Sequence, residues 1–130
     1  MPDSPPAARA AAGGLALLGL GSSGALILGH WSRLGLPGCR GDSPCAHAAA
    51  SAWSTLPLLE WPVASLAFAY FLAWLALAIL GPTPRTPPLR SLARLAALAA
   101  IFYLAVGVGT RALCPYCLVS HAAALGLWAL

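Results

Sequence analysis

"RALCPYCLVSHAAALGLWAL", residues 111–130, decides the fold class. It sets Cys114-Pro115-Tyr116-Cys117, a redox-type Cys-x-x-Cys, at the head of an apolar run. In water-soluble redox proteins such a pair follows a strand of a βαβ unit, and no strand pattern precedes it here. Pro115 suits the first position of a helix, where its missing N–H needs no partner. The residues that follow lack period-two alternation and read as lipid-facing helix.

The rest of the chain agrees. Of 130 residues, 60% are hydrophobic and 8% charged, against about 25% charged in soluble domains. Mean hydropathy is +0.82. Such a chain cannot cover a water-facing surface and belongs in a membrane. The net charge of +4 comes with seven Arg and no Lys. These Arg are scattered singly without interleaved aromatics, which argues against nucleic acid and for lipid headgroups.

Four stretches are long and apolar enough for a hydrocarbon core that takes roughly 20 helical residues to cross. They are 10–29, 61–80, 94–111 and 113–130. The expected architecture is all-α: one domain over 1–130, an integral membrane four-helix bundle with a short surface helix in its first extracytoplasmic loop. The first stretch follows Arg9 like a signal peptide, but it is long for one and no Ala-x-Ala site ends it, so a retained span is expected. Gly21, Ala25 and Gly29 offer a small-residue ridge for helix packing.

A loop over 31–59 holds Cys39 and Cys45, and a Pro- and Arg-rich linker over 81–93 holds Arg85 and Arg90. Counting cations puts Arg9, Arg85, Arg90 and Arg94 on one face, against Arg33, Arg40 and Arg111 on the other. The amino terminus and linker are therefore expected on the cytoplasmic side. With four spans, both cysteine pairs share one surface whichever way the chain is inserted.

At the head of the last span, Cys114 meets unpaired N–H groups and the positive end of the helix dipole, which favour thiolate. Arg111 adds to that. Cys117 lies a turn deeper, and His121 falls on the same helix face. An imidazole in a span donates a hydrogen bond to a bound acceptor, relays a proton, or pairs structurally with another helix. In the loop, Ser43 caps a short helix beginning at Pro44 and ending by Pro57. There His47, Ser51 and Ser54 share a polar face, with Trp53 and Trp61 at the interface. Zinc is disfavoured by spacing: only one pair is Cys-x-x-Cys, and five residues separate Cys39 from Cys45. A structural Cys39–Cys45 disulfide remains open, though it leaves the Cys-x-x-Cys unexplained.

At these residues the sequence resembles the vitamin K epoxide reductase family in its short bacterial form. Four spans, the Cys39/Cys45 loop, Ser51 six residues after Cys45, Trp53 two further on, and Cys114/Cys117 heading the last span carry the resemblance, over nearly the whole chain. It implies a membrane thiol:quinone oxidoreductase supporting disulfide bond formation. A separate thioredoxin-like, DsbA-type partner would attack Cys39; Cys45 would exchange with Cys114, and Cys117 would pass electrons to a ubiquinone or menaquinone. Ser51, Trp53 and His121 would lie at the quinone. The membrane would be the bacterial inner membrane, with both pairs extracytoplasmic. Two departures stand out: no Asn occurs early in the second span, and no thioredoxin-like domain follows in the sequence. Quinone or quinone-epoxide reduction as the purpose, and a non-catalytic membrane protein with structural disulfides or zinc, are the alternatives.

Overall fold

The computed structural model describes residues 6–32, 35–56, 59–80 and 87–130. Arg33, Pro57 and Arg85 lie outside them. Five helices make up the fold: α1 (Pro6–Ser32), α2 (Pro44–Ala50), α3 (Ala64–Leu80), α4 (Pro87–Gly109) and α5 (Pro115–Ala129). Among the described residues there is no strand, only an isolated bridge between Thr55 and Pro62.

Proline marks most of the helix starts. The first-turn N–H groups of a helix are unpaired in any case, so Pro is tolerated there. α4 accordingly begins at Pro87, inside the stretch expected to be linker, with Pro88 following in its first turn. α3 begins at Ala64, later than expected, because the chain at 61–63 is held to residues 54–56. Leu56 N–H donates to Trp61 O (2.8 Å) and Val63 N–H to Ser54 O (2.9 Å).

α1 packs against both α3 and α5, and α4 packs on α5. The core is built of small side chains, Ala12, Ala16, Ala93, Ala100, Ala123 and Ala124, around Phe71, Trp74 and Leu127. Along α1 the buried seam runs Ala12, Ala16, Gly19, Ser23. Gly19 takes the face of Phe71 so closely that a Cβ there would lie 2.4 Å from the ring. The expected ridge is displaced from this seam. Gly21 is exposed, and a Cβ on it meets nothing within 4 Å. The physical reason is polar as well as steric. Ser22 Oγ lies 2.7 Å from Ser120 Oγ of α5, and Ser23 Oγ donates to Gly19 O at 2.6 Å. Burying these hydroxyls inside the bundle, where they find partners, fixes the rotation of α1.

Outward, the helices present large apolar side chains, including Leu17, Leu28, Leu72, Leu95, Leu98 and Ile101. α1 and α4, at 27 and 23 residues, are long and apolar enough to cross a membrane. α3 and α5 are shorter, at 17 and 15 residues.

Candidate active site

The site is assembled at the junction of the loop, α2 and the head of α5. The loop turns at Gly38, whose φ of +79° suits a residue without Cβ. Cys39 N–H donates to Leu36 O at 2.8 Å and closes that turn. Ser43 then caps α2 as the sequence leads one to expect: its Oγ accepts the Ala46 N–H at 3.2 Å, and Pro44 follows at the first helical position. Cys45, next along, is buried and bonded to Cys39.

The other half arrives through the end of α4. Arg111 N–H donates to Val108 O (3.3 Å) and Ala112 N–H to Gly107 O (2.9 Å). This is a Schellman motif, with Arg111 in the left-handed position at φ +54° where glycine is usual. The turn buries Ala112 and Cys114 and sends the chain into α5. Cys114 is the N-cap of α5, one residue ahead of the helix, and is completely buried. Its Sγ lies 3.0 Å from Cys45 Sγ. The Tyr116 hydroxyl donates to Pro37 O at 3.1 Å and ties α5 to the loop.

Cys114 and Cys117 are free thiols. The Cys117 thiol beside it draws the Cys114 pKa well below the ordinary thiol range, against the opposing effect of burial. The chemistry follows from the arrangement. A thiol poised for thiolate stands against one sulfur of a disulfide, close to the separation of a near-attack contact, about 3–3.5 Å. Thiol–disulfide exchange needs an accessible thiolate and a reachable disulfide sulfur. Both are present.

Beside the sulfurs opens a cavity of about 560 Å³, within the range of about 300–1,000 Å³ typical of small-molecule sites. Cys39, Cys45 and Cys114 line it, together with the α2 alanines and the start of α3. Its walls are mainly apolar, with Ser54, Tyr103 and His121 among the few polar groups.

The expected site residues divide. His121 lines the cavity, and its ring stacks on Tyr103 with centroids 6.2 Å apart and planes 14° from parallel. Cys117 is half-buried one turn into α5 and is not among the lining residues. Ser51 and Trp53 do not line it either. α2 stops at Ala50, so the polar face expected to join His47 to Ser51 is broken. Ser51 caps the helix and its hydroxyl donates to Ala48 O at 2.8 Å. Trp53 is exposed and packs edge-on against Phe102 of α4, centroids 5.4 Å apart. His47 pairs instead with Asp42 at 2.7 Å on the outer surface. Arg111 points outward, serving the turn.

Tyr103 escaped the sequence reading. Its signal was a phenol inside an otherwise apolar span, the same kind of signal that drew attention to His121.

The family model for the vitamin K epoxide reductase family matches residues 10–130. The chain belongs to that family. No curated protein and no solved structure matches it. Membership in the vitamin K epoxide reductase family makes this a thiol-based oxidoreductase and a membrane protein, from a family whose members use quinones. The cavity fits that group: it is large enough, mostly apolar, adjacent to sulfur, and lined by a phenol and an imidazole, groups able to donate hydrogen bonds to carbonyl oxygens.

Proposed function

We propose that this chain is a thiol:quinone oxidoreductase that takes electrons from a separate thioredoxin-like, DsbA-type protein and so supports disulfide bond formation. The observation that carries the reading is the 3.0 Å approach of Cys114 Sγ to the Cys39–Cys45 disulfide. α1, α3, α4 and α5 serve as four spans of a bacterial inner membrane, over a single domain of 1–130. Both cysteine pairs face the extracytoplasmic side, and Arg90 and Arg94 face the cytoplasm.

The relay is written in thiols. A partner thiolate attacks Cys39 Sγ, the Cys39–Cys45 bond breaks, and Cys45 leaves as thiolate. Cys45 attacks Cys114 of an oxidised Cys114–Cys117 pair, and Cys117 leaves as thiolate. The partner's second thiol releases Cys39, which attacks Cys45 and restores the loop disulfide. Cys114 and Cys117 are then the dithiol, and this distribution of bonds is the one in the present structure. Ubiquinone or menaquinone supplies a two-electron, two-proton acceptor. His121 and Tyr103 would donate hydrogen bonds to its carbonyl oxygens, and Ser54, also in the lining, would offer a further hydroxyl. Ser51 and Trp53 act at one remove, by ending α2 and seating the loop on α4.

The test is anaerobic mixing of reduced, purified chain with a soluble ubiquinone or menaquinone, followed by quinone absorbance. About two quinones should be consumed per fully reduced chain, one for each of the two cysteine pairs. Tyr103→Phe keeps the ring stack and removes the hydroxyl; it should weaken quinone affinity measured by fluorescence quenching and slow reduction by up to about tenfold, below the losses seen when a main oxyanion donor is removed. A reduced chain that leaves both quinones untouched while its cysteines stay reduced would refute the reading.

A further inference from the structure

The same corner has a second capacity when the loop disulfide is open. The Sγ atoms of Cys39, Cys45 and Cys114 all lie within 4.8 Å of one another. Sequence spacing argued against a metal, because a zinc site is sought among tight Cys pairs. Folding changes the question by bringing Cys114 across 69 positions to Cys45. Zinc–sulfur bonds are about 2.3 Å, so a tetrahedral centre sets its sulfurs roughly 3.8 Å apart. When the Cys39–Cys45 bond is broken, those two sulfurs separate to van der Waals contact, close to that spacing. Cys45 and Cys114 are buried and Cys39 is partly exposed, so two of the three sulfurs are held within the fold. The cavity touches all three cysteines and leaves room for a fourth ligand such as water. Three protein ligands and an open position is an arrangement zinc accepts.

We propose that the dithiol-reduced chain binds one thiophilic d10 cation of the zinc class through Cys39, Cys45 and Cys114, and that this binding halts the sulfur relay. The inference rests on the proposed function only in requiring a reducible loop disulfide. In balance, an external reductant delivers two electrons and two protons to the Cys39–Cys45 bond and gives two thiols. The divalent cation then displaces the protons of three thiols, releasing three H⁺. The oxidised loop offers no thiolate from Cys39 or Cys45, so the site exists in one redox state only. A bound cation occupies both Cys45 and Cys114, the two sulfurs that must meet for exchange.

The experiment uses the full chain in detergent, reduced with a phosphine, desalted anaerobically, and titrated with Cd²⁺ while thiolate-to-metal absorption is followed in the ultraviolet. Zn²⁺ is titrated in competition with a chromophoric chelator. The expected result is one equivalent bound, with absorption corresponding to three thiolates. The chain with its loop disulfide intact should bind at least about 100-fold more weakly. Cys114→Ser preserves volume and should lower affinity at least about tenfold and cut the absorption by a third. Equal binding by oxidised and reduced chains, or full affinity in Cys114→Ser, overturns the proposal. So does an absorption counting four thiolates, which would bring in Cys117. Quinone consumption is measured on the same samples. If metal-free reduced chain consumes quinone and one equivalent of Zn²⁺ leaves that unchanged, the proposed halt fails and the relay stands. If metal binds as expected but metal-free chain consumes no quinone, the relay fails and the site stands.

Discussion

Gly19→Ala tests the packing that supports the site. At Gly19 a Cβ would stand 2.4 Å from Cε1 and Cζ of Phe71, whereas carbon atoms rest about 3.5–4.0 Å apart. The deficit is therefore about 1 Å or more. Phe71 cannot yield it, being 1% exposed and lodged against the Tyr70 ring at a centroid distance of 5.2 Å. Overpacking of this kind costs about 1–3 kcal/mol. Gly→Ala in a helix also returns up to about 1 kcal/mol of propensity, so a second variant is needed to isolate the clash. Gly21→Ala, two residues on, meets nothing within 4 Å. It gains the same propensity without the contact, and the difference between the two variants leaves the steric term of about 1–3 kcal/mol. Equilibrium unfolding in mixed micelles reads both. Gly19→Ala should be the less stable, and shortening the ring with Phe71→Leu in the same chain should recover part of the loss. If Gly21→Ala is the more damaging, α1 is turned to the Gly21–Ala25–Gly29 face and the seam described above is wrong.

Four further outcomes follow from the site. Cys117→Ala should accumulate an intramolecular Cys45–Cys114 disulfide, identified by peptide mapping, and fail to reduce quinone; quinone reduction equal to the parent's would remove Cys117 from the relay. Tyr116→Phe removes the hydrogen bond to Pro37 O, worth about 0.5–1.5 kcal/mol; stopped-flow exchange between the two pairs should slow by about 2–10-fold with quinone affinity unchanged, and an unchanged exchange rate would show that the tie does not position the loop. Arg111→Gly relieves a left-handed residue costing about 1–2 kcal/mol, less about 0.4–1 kcal/mol from the freer unfolded chain, so the melting temperature in detergent should hold or rise; a fall would contradict the turn geometry. In intact cells, membrane-impermeant maleimide should reach reduced Cys39 and spare a cysteine at Arg90→Cys, and labelling of both would undo the four-span arrangement.

What was legible in the sequence is chemistry confined to a few neighbouring residues. Ser43 before Pro44 and Cys114 before Pro115 mark two helix starts, because capping and the missing proline N–H act within one turn. The cysteine constellation was legible for the same reason, as each pair is local. The rotation of α1 was not. When lipid is the solvent, apolar residues occupy every face of a helix, so no amphipathic stripe marks the buried one. The choice fell to a steric fit at Gly19 and to the pairing of Ser22 with Ser120, 98 positions away. Ser51 misled for a different reason. Extending the surface helix toward Pro57 places it on the face of His47, but its own hydroxyl takes the Ala48 carbonyl and the backbone turns extended, with φ −73° and ψ 151°. A serine that favours helix ends stopped the helix it was expected to decorate. Tyr103 was hidden among apolar neighbours and acquires meaning only beside His121.

The division of the molecule follows from these causes. The body of the bundle needs only small inner residues and apolar outer ones, a loose requirement that Ala, Leu and Gly meet in many arrangements. The mouth is held to a tighter standard, since a sulfur from the loop and a sulfur from α5 must meet at 3.0 Å. Three devices meet that standard: a glycine turn at Gly38, a Schellman turn with Arg111 in the left-handed position, and the Tyr116 hydroxyl on Pro37 O. All three act at helix ends or in the loop: the Schellman turn closes on the last turn of α4, and Tyr116 lies in the first turn of α5. A left-handed arginine where glycine costs less is a local strain retained beside the sulfur it helps to aim, which fits the general pairing of strained backbone with functional sites. The mouth is thus set by two backbone turns and one tyrosine hydroxyl, while the bundle beneath it fixes α1 against α5 through Ser22 and Ser120.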